Sequence, residues 1–219
     1  MRLLRRLAGL VFQRPCQLCE ARVEEPGLAT ACEACWGAIE SRPWPRLAFP
    51  ALDRPAFDRA VAAFGYDGEL RRLVHAFKFE GHPSLRRPLG QALARRCEGA
   101  RDWGCDAVVP MPLSRASWLE RGHDAAGSLA QGLARDWRLP VLPALAWGRE
   151  RRRQSELDRA ARLRNAEGAL ASAPVAGRRL LLVDDLCSSG ATAHDAARAL
   201  KAAGAEFVGV AALAHAELG

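Results

Sequence analysis

Four cysteines stand in one block: Cys16-Gln-Leu-Cys19, twelve residues, then Cys32-Glu-Ala-Cys35. Each Cys-x-x-Cys turn can aim two thiolates at one ion, and the intervening residues let the second knuckle close a tetrahedral sulfur shell. A redox pair is the competing chemistry, but redox sites use one such motif beside a βαβ unit rather than two in tandem. Structural zinc held by Cys16, Cys19, Cys32 and Cys35 is therefore expected. The metal would stabilise a ribbon too short to own a core. Arg14, Arg22 and Arg42 are offset there by Glu20, Glu24, Glu25 and Glu33. That balance favours a scaffolding or docking role over reading DNA.

A second constellation lies near the C-terminus, in Leu180–Thr192: LLLVDDLCSSGAT. An apolar run of this kind reads as a buried strand, and in an open α/β sheet ligands bind beyond the carboxyl ends of the strands. Ser188-Ser189-Gly190-Ala191-Thr192 then opens a helix whose first amides lack intrahelical acceptors. With the helix dipole, those amides make a phosphate cradle. Gly190 lets the backbone approach closely, and the three hydroxyls add donors. Asp184 and Asp185 repel a phosphate but can accept hydrogen bonds from vicinal sugar hydroxyls, so the set suits a ribose 5-phosphate. An aspartyl-phosphate or magnesium site would use the same carboxylates and leave the hydroxyls unexplained. N-capping by Ser188 or Ser189 is expected as part of the arrangement. Neither nucleotide-binding glycine loop occurs. Cys187 sits where a helix N-terminus could activate a thiol, but the motif relies on the groups around it.

The elements that must position these groups follow from periodicity. Strands are expected at Ala60–Tyr66, Asp106–Pro110, Leu139–Leu142, Leu180–Asp184 and Phe207–Leu213. Helices are expected over Glu69–Phe79, from Pro83-Ser84 through Leu93, over Ala125–Trp137, and over Ala191–Ala203. Continuous apolar strands alternating with helices predict an α/β fold, a mostly parallel sheet covered on both faces. Leu3, Leu4, Leu7, Leu10 and Val11 suggest a short N-terminal helix. Four prolines between Ser41 and Pro55 suggest a linker. The expected organisation is residues 1–42 as the metal module, 43–56 as the linker and 57–219 as the catalytic-type domain.

The 219 residues carry 32 basic and 25 acidic side chains, a formal charge of +7, which leans towards phosphorylated or polyanionic partners. No run approaches the ~20 apolar residues of a membrane span, and the N-terminal stretch lacks a signal-peptide cleavage site. A cytoplasmic protein is the expectation.

VDDLCSSGAT resembles the phosphoribosyl pyrophosphate (PRPP) motif of type I phosphoribosyltransferases: two acidic residues, then hydroxyl residues and glycine. The wider chain resembles the ComF family, in which a cysteine module precedes such a domain. The resemblance rests on the four cysteines and on Phe64–His82, Val108–Ala130 and Arg153–Leu170. It implies a Rossmann-like transferase core behind an N-terminal four-cysteine zinc ribbon. Asp184 and Asp185 would hold the ribose hydroxyls, and Ser188, Ser189, Gly190, Ala191 and Thr192 the 5-phosphate. Met111, Pro112 and Leu113, with Arg121 near, would face the pyrophosphate. Gln154, Arg162 and Asn165 would lie in a mobile covering loop, and Mg2+ would bridge substrate oxygens. Lys78 lies in a shared block without an implied role. Two departures stand out. Arg121-Gly122-His123-Asp124-Ala125 replaces Arg-Gly-Phe-Asn-Gln, which introduces a titratable pair and a candidate base in His123. Leu170 replaces a Phe.

Two functions fit this reading. One is a transferase displacing pyrophosphate at C1 of PRPP with an unidentified acceptor. The other, implied through natural competence, is a non-catalytic or PRPP-regulated single-stranded-DNA-associated factor working with DNA-uptake or helicase proteins. For the latter, Arg71-Arg72, Arg86-Arg87, Arg95-Arg96 and Arg151-Arg152-Arg153 would supply a cationic track, and Trp103, Trp118 and Trp147 stacking surfaces.

Overall fold

A computed structural model describes residues 16, 18–21, 31–49, 52–79, 83–148 and 170–216. The expected N-terminal helix lies outside those residues, as do Arg151–Arg153, Gln154, Arg162 and Asn165. The chain order is α1 (Glu33–Glu40), β1 (Arg59–Gly65), α2 (Gly68–Phe79), α3 (Pro83–Arg96), a 3-10 turn (Glu98–Trp103) and β2 (Ala107–Pro110). Next come α4 (Arg115–Arg121), α5 (Ala125–Trp137), β3 (Leu145–Trp147), β4 (Leu170–Ser172), β5 (Arg179–Cys187), α6 (Ala191–Ala202) and β6 (Phe207–His215).

The central sheet runs β1-β6-β5-β2, and every neighbouring pair is parallel. Both faces are covered, as the continuous apolar strands require. Along β5 the pleat sends Leu181 and Val183 to one face, against Leu73, Phe77, Leu89, Leu129 and Leu133 of α2, α3 and α5. Leu180 and Leu182 point to the other, against Ala193, Ala196 and Leu200 of α6. Helix α5 keeps the bounds its Leu129 and Leu133 stripe predicts.

The strand expected at Leu139–Leu142 is not one. Its contact with β2 is a single bridge, Val108 to Val141, flanked by Val108 N–H to Pro140 O and Leu142 N–H to Val108 O. Pro140 and Pro143 have no N–H to extend a ladder. A two-stranded antiparallel ribbon, β3 with β4, went unpredicted because each strand is three residues long. Strand β5 runs three residues beyond its expected end. Leu186 and Cys187 still pair with Ala214 and His215 of β6.

The cysteine module docks on the α2–α3 side of the domain. Cys16, Leu18, Trp36 and Ile39 join the same buried cluster as Leu73, Phe77 and Leu89. Polar contacts frame that seam: Arg72 donates to Leu18 O at 3.3 Å, Arg95 pairs with Glu40, and Arg42 pairs with Asp67 and Glu69. Residues following the module pack closely on the domain as well. Trp44 donates to Arg96 O at 2.9 Å, and the Phe49 ring meets Phe57 and His215 edge-on.

Candidate functional site

The four cysteines converge. Their Sγ atoms all lie within 4.8 Å of one another, with Cys19 and Cys32 at 3.6 Å. A sulfur tetrahedron around zinc, with bonds of about 2.3 Å, has edges of about 3.8 Å. Cys32 and Cys35 are brought in by the N-terminus of α1, Cys16 and Cys19 by the opposite turn. The N–H groups of Cys32 and Leu18 donate to Cys16 Sγ at 3.3 and 3.4 Å. Burial opposes ionisation of this thiol, but those donors outweigh it and bring Cys16 down to about 6. Burial and the neighbouring sulfurs push Cys35 up, and Cys19 is also raised, so four thiols this close cannot all ionise unless a cation sits between them; converged sulfurs of this kind fit Zn2+.

At the carboxyl edge of the sheet, one open pocket of about 300 Å³, solvent-facing space included, is lined by Asp184, Cys187, Ser188, Ser189, Gly190, Ala191 and Thr192. The acidic and hydroxyl parts of the motif therefore meet in one place. The N-cap of α6 is Gly190, with φ +75°, and no side chain caps the helix. Ser188 and Ser189 thus do not serve as the expected caps. The nearest approach is a long 3.4 Å contact from Ala191 N–H to Ser189 Oγ. The amides opening α6 are left to a ligand or to solvent. Behind them, a Cβ on Gly190 would stand 2.7 Å from Phe49 and 3.1 Å from Leu52. The segment leaving the cysteine module thus backs the cradle.

The two aspartates are not equivalent. Because β5 continues past them, the pleat turns them to opposite faces, and Asp184 lines the pocket whereas Asp185 does not. Asp185 is buried and meets Lys78 Nζ at 2.8 Å and Arg121 at 3.8 Å. Asp184 accepts the Asp185 N–H at 2.8 Å. Burial, then the Asp185 charge, push Asp184 up to about 7 against the pull of Lys78 and Arg121. Lys78 had no role in the sequence; its position in the last turn of α2 supplies one.

Other sequence candidates separate. Met111 is buried beneath the sheet edge and donates its N–H to Val183 O at 2.8 Å, so only its backbone belongs to the loop. Pro112 O accepts from the Trp147 indole at 2.8 Å, and Leu113 is half-buried. His123 is buried edge-on against Phe77 and is not among the residues lining this pocket. Asp124 caps α5, accepting from Gly127 N–H at 2.8 Å, a role that the family's Asn fills equally well. Cys187 closes β5 as a buried residue. Burial, then the Asp184 charge, push its thiol up to about 12, and the helix start does not reverse this. Cys187→Ala is expected to leave ligand affinity within about twofold. The native thiol should resist iodoacetamide at about pH 8, where it stays protonated; rapid labelling of the folded chain would contradict this.

The tryptophans do not form one track. Trp103 packs on Phe207 with ring centroids 6.2 Å apart, Trp147 is tied to Pro112, and of the three only Trp118 is exposed. Arg96 is structural. It donates to Ala63 O and Arg42 O at 3.0 and 2.8 Å and lies over Trp44.

A parallel α/β sheet with a hydroxyl-rich cradle and an acidic pair at its carboxyl edge defines a phosphoribosyltransferase-type domain. A family model described as phosphoribosyl transferase domain matches residues 121–217. Competence protein F of Haemophilus influenzae is 28% identical over 171 residues, 74% of this chain and 75% of that protein. DNA utilization protein YhgH of Escherichia coli is 30% identical over 165 residues, 71% of each. The chain belongs to the ComF family, that of these two proteins. Among solved structures it is similar to glutamine phosphoribosylpyrophosphate amidotransferase from B. subtilis complexed with ADP and GMP, at 24% identity and a TM-score of 0.45. That match covers 64% of this chain and 30% of the other. No helix among the described residues is long and apolar enough to cross a membrane.

Proposed function

We propose that the domain binds PRPP, with the 5-phosphate in the Ser188–Thr192 cradle and the sugar hydroxyls on Asp184, and that an acceptor displaces pyrophosphate at C1. The observation that carries this is the single pocket shared by Asp184 and the uncapped start of α6. Asp185, which the resemblance assigns to the same hydroxyls, pairs with Lys78 and Arg121. Those cations, with the backbone of the Pro112-Leu113 loop, would face the leaving group. Positioning and charge stabilisation are the contributions such a displacement asks of a protein. Mg2+ carried in with the substrate would supply positive charge to neutralise the leaving group. Among the described residues, the four cysteines are the one cluster of three or more metal-ligating side chains. That fits a magnesium ion carried mainly by substrate oxygens and water, and Zn2+ in the cysteine module. Seven cysteines, an odd number with four of them set as a metal module, suit the reducing cytoplasm.

The relatives' names favour a second reading, an association with single-stranded DNA during uptake or use. Exposed Arg71, Arg72, Arg86 and Arg87 support it. Two assays separate the readings. Acceptor-dependent release of pyrophosphate from PRPP, lost in Asp184→Asn, is the outcome the transferase reading expects. Oligonucleotide binding that weakens severalfold between roughly 50 and 200 mM salt is the outcome the DNA reading expects, and a salt-independent signal would count against phosphate contacts.

A further inference from the structure

Lys78 comes from the last turn of α2, more than a hundred residues before the acidic pair, yet its ammonium lies 2.8 Å from Asp185 Oδ1. The side chains are 11% and 9% exposed, so the pair is largely desolvated. Arg121, closing α4, stands 3.8 Å from the other carboxylate oxygen, and its Nε is buried without a partner among the described residues. Among the described residues two cations therefore pair with Asp185, and of these only Lys78 is at contact distance. Removing one member of such a pair leaves an uncompensated buried charge.

We propose that Lys78 is the positioning residue of the acidic pair: it neutralises Asp185 on the α2 side of the sheet and so keeps Asp184, the carboxylate facing the pocket, available to accept from a ligand. The groups that bear on Asp184 are Asp185 and Cys187 on β5, Lys78 on α2 and Arg121 on α4. Burial and Asp185 already push Asp184 up to about 7, with Lys78 the first-ranked opposing charge. Without the ammonium, the like-charged pair would take up a proton more readily. The sign follows. The Asp184 midpoint rises, less of it is ionised at neutral pH, and a ligand whose hydroxyls donate to it binds more weakly there. A rise of about one pH unit would cut the ionised fraction at about pH 7 from about a half to about a tenth, and the deficit would vanish above about pH 9.

The role of Lys78 is independent of which ligand Asp184 receives; only the affinity readout rests on the PRPP reading. The test follows the carboxyl carbon of Asp184 by NMR titration of the full chain without ligand, in wild type, Lys78→Met, Lys78→Arg and Lys78→Met/Asp185→Asn. Alongside, PRPP affinity is measured against pH. Lys78→Met is expected to raise the midpoint by about one unit and to weaken PRPP about fivefold at about pH 7 but not at about pH 9. Lys78→Arg should restore the wild-type profile. The double variant, which removes both members of the Lys78–Asp185 pair and keeps the test available if Lys78→Met does not fold, should bring the midpoint below wild type. An unmoved midpoint in Lys78→Met, or a double variant still titrating above wild type, overturns the proposal. An affinity loss equal at every pH and kept in the double variant would instead place Lys78 on the ligand, also overturning it. If wild type shows the titration but no PRPP binding, the ligand reading fails and the positioning role stands.

Discussion

Serine at both Cys16 and Cys19 is expected to abolish retention of zinc, about one ion per chain in the native protein, and to lower the unfolding midpoint by roughly 6–12 °C. The physical reason is that, among the module's described residues, the buried side chains belong to the metal shell or to the face presented to the domain. Metal binding in small cysteine modules supplies about 10 kcal/mol or more of folding free energy. Only part of that reaches the rest of the chain, through Trp36 and Ile39 against the α2–α3 cluster and through the pairing of Arg42 with Asp67 and Glu69. A loss of about 3 kcal/mol in a chain of this size corresponds to the stated shift. Metal analysis and thermal unfolding monitored by circular dichroism check both halves. Retention of the ion by the double variant would overturn the ligand set.

The second large effect is expected at Gly190. Its φ of +75° lies in the left-handed region, and a Cβ there would meet Phe49 at 2.7 Å. The Phe49 ring is hemmed in by Phe57 and His215, with centroids 5.3 and 5.7 Å away, so it has little room to yield. Gly190→Val combines the left-handed penalty of about 1–2 kcal/mol with this clash, and either the segment or the cradle must move. If the cradle moves, the amides of α6 no longer converge on one point. A loss of at least about tenfold in PRPP affinity is expected, readable by calorimetry. Gly190→Ala should show a smaller loss of the same sign. Wild-type affinity in Gly190→Val would mean that the start of α6 does not hold the ligand.

The parts of this fold that could be read from the sequence are those whose side chains face a core. Leu129 and Leu133 mark α5 because that stripe is buried, and Leu180–Val183 marks β5 because both its faces are covered. Helix α4 has no buried residue, so no stripe announces it; Ser114, whose Oγ accepts from Ser117 N–H at 3.1 Å, was the available signal. The β3–β4 ribbon depends on partners more than twenty residues apart. The cysteine cluster and the cradle were legible because their spacing is local. Lys78 was not, since its pairing with Asp185 is set by how α2 packs on the sheet. The split of Asp184 from Asp185 was legible in principle from the period of two. It was obscured because two adjacent aspartates resemble a strand end.

PRPP binding in the pocket under Asp184 and the start of α6 is open to calorimetric titration of PRPP into the zinc-loaded chain with magnesium present, for wild type and for Asp184→Asn. Saturable binding at one site per chain is expected in wild type, with a loss of at least about tenfold in the variant, since a sugar hydroxyl would lose its charged acceptor. Equal affinity in the two proteins, or no binding in either, would contradict it.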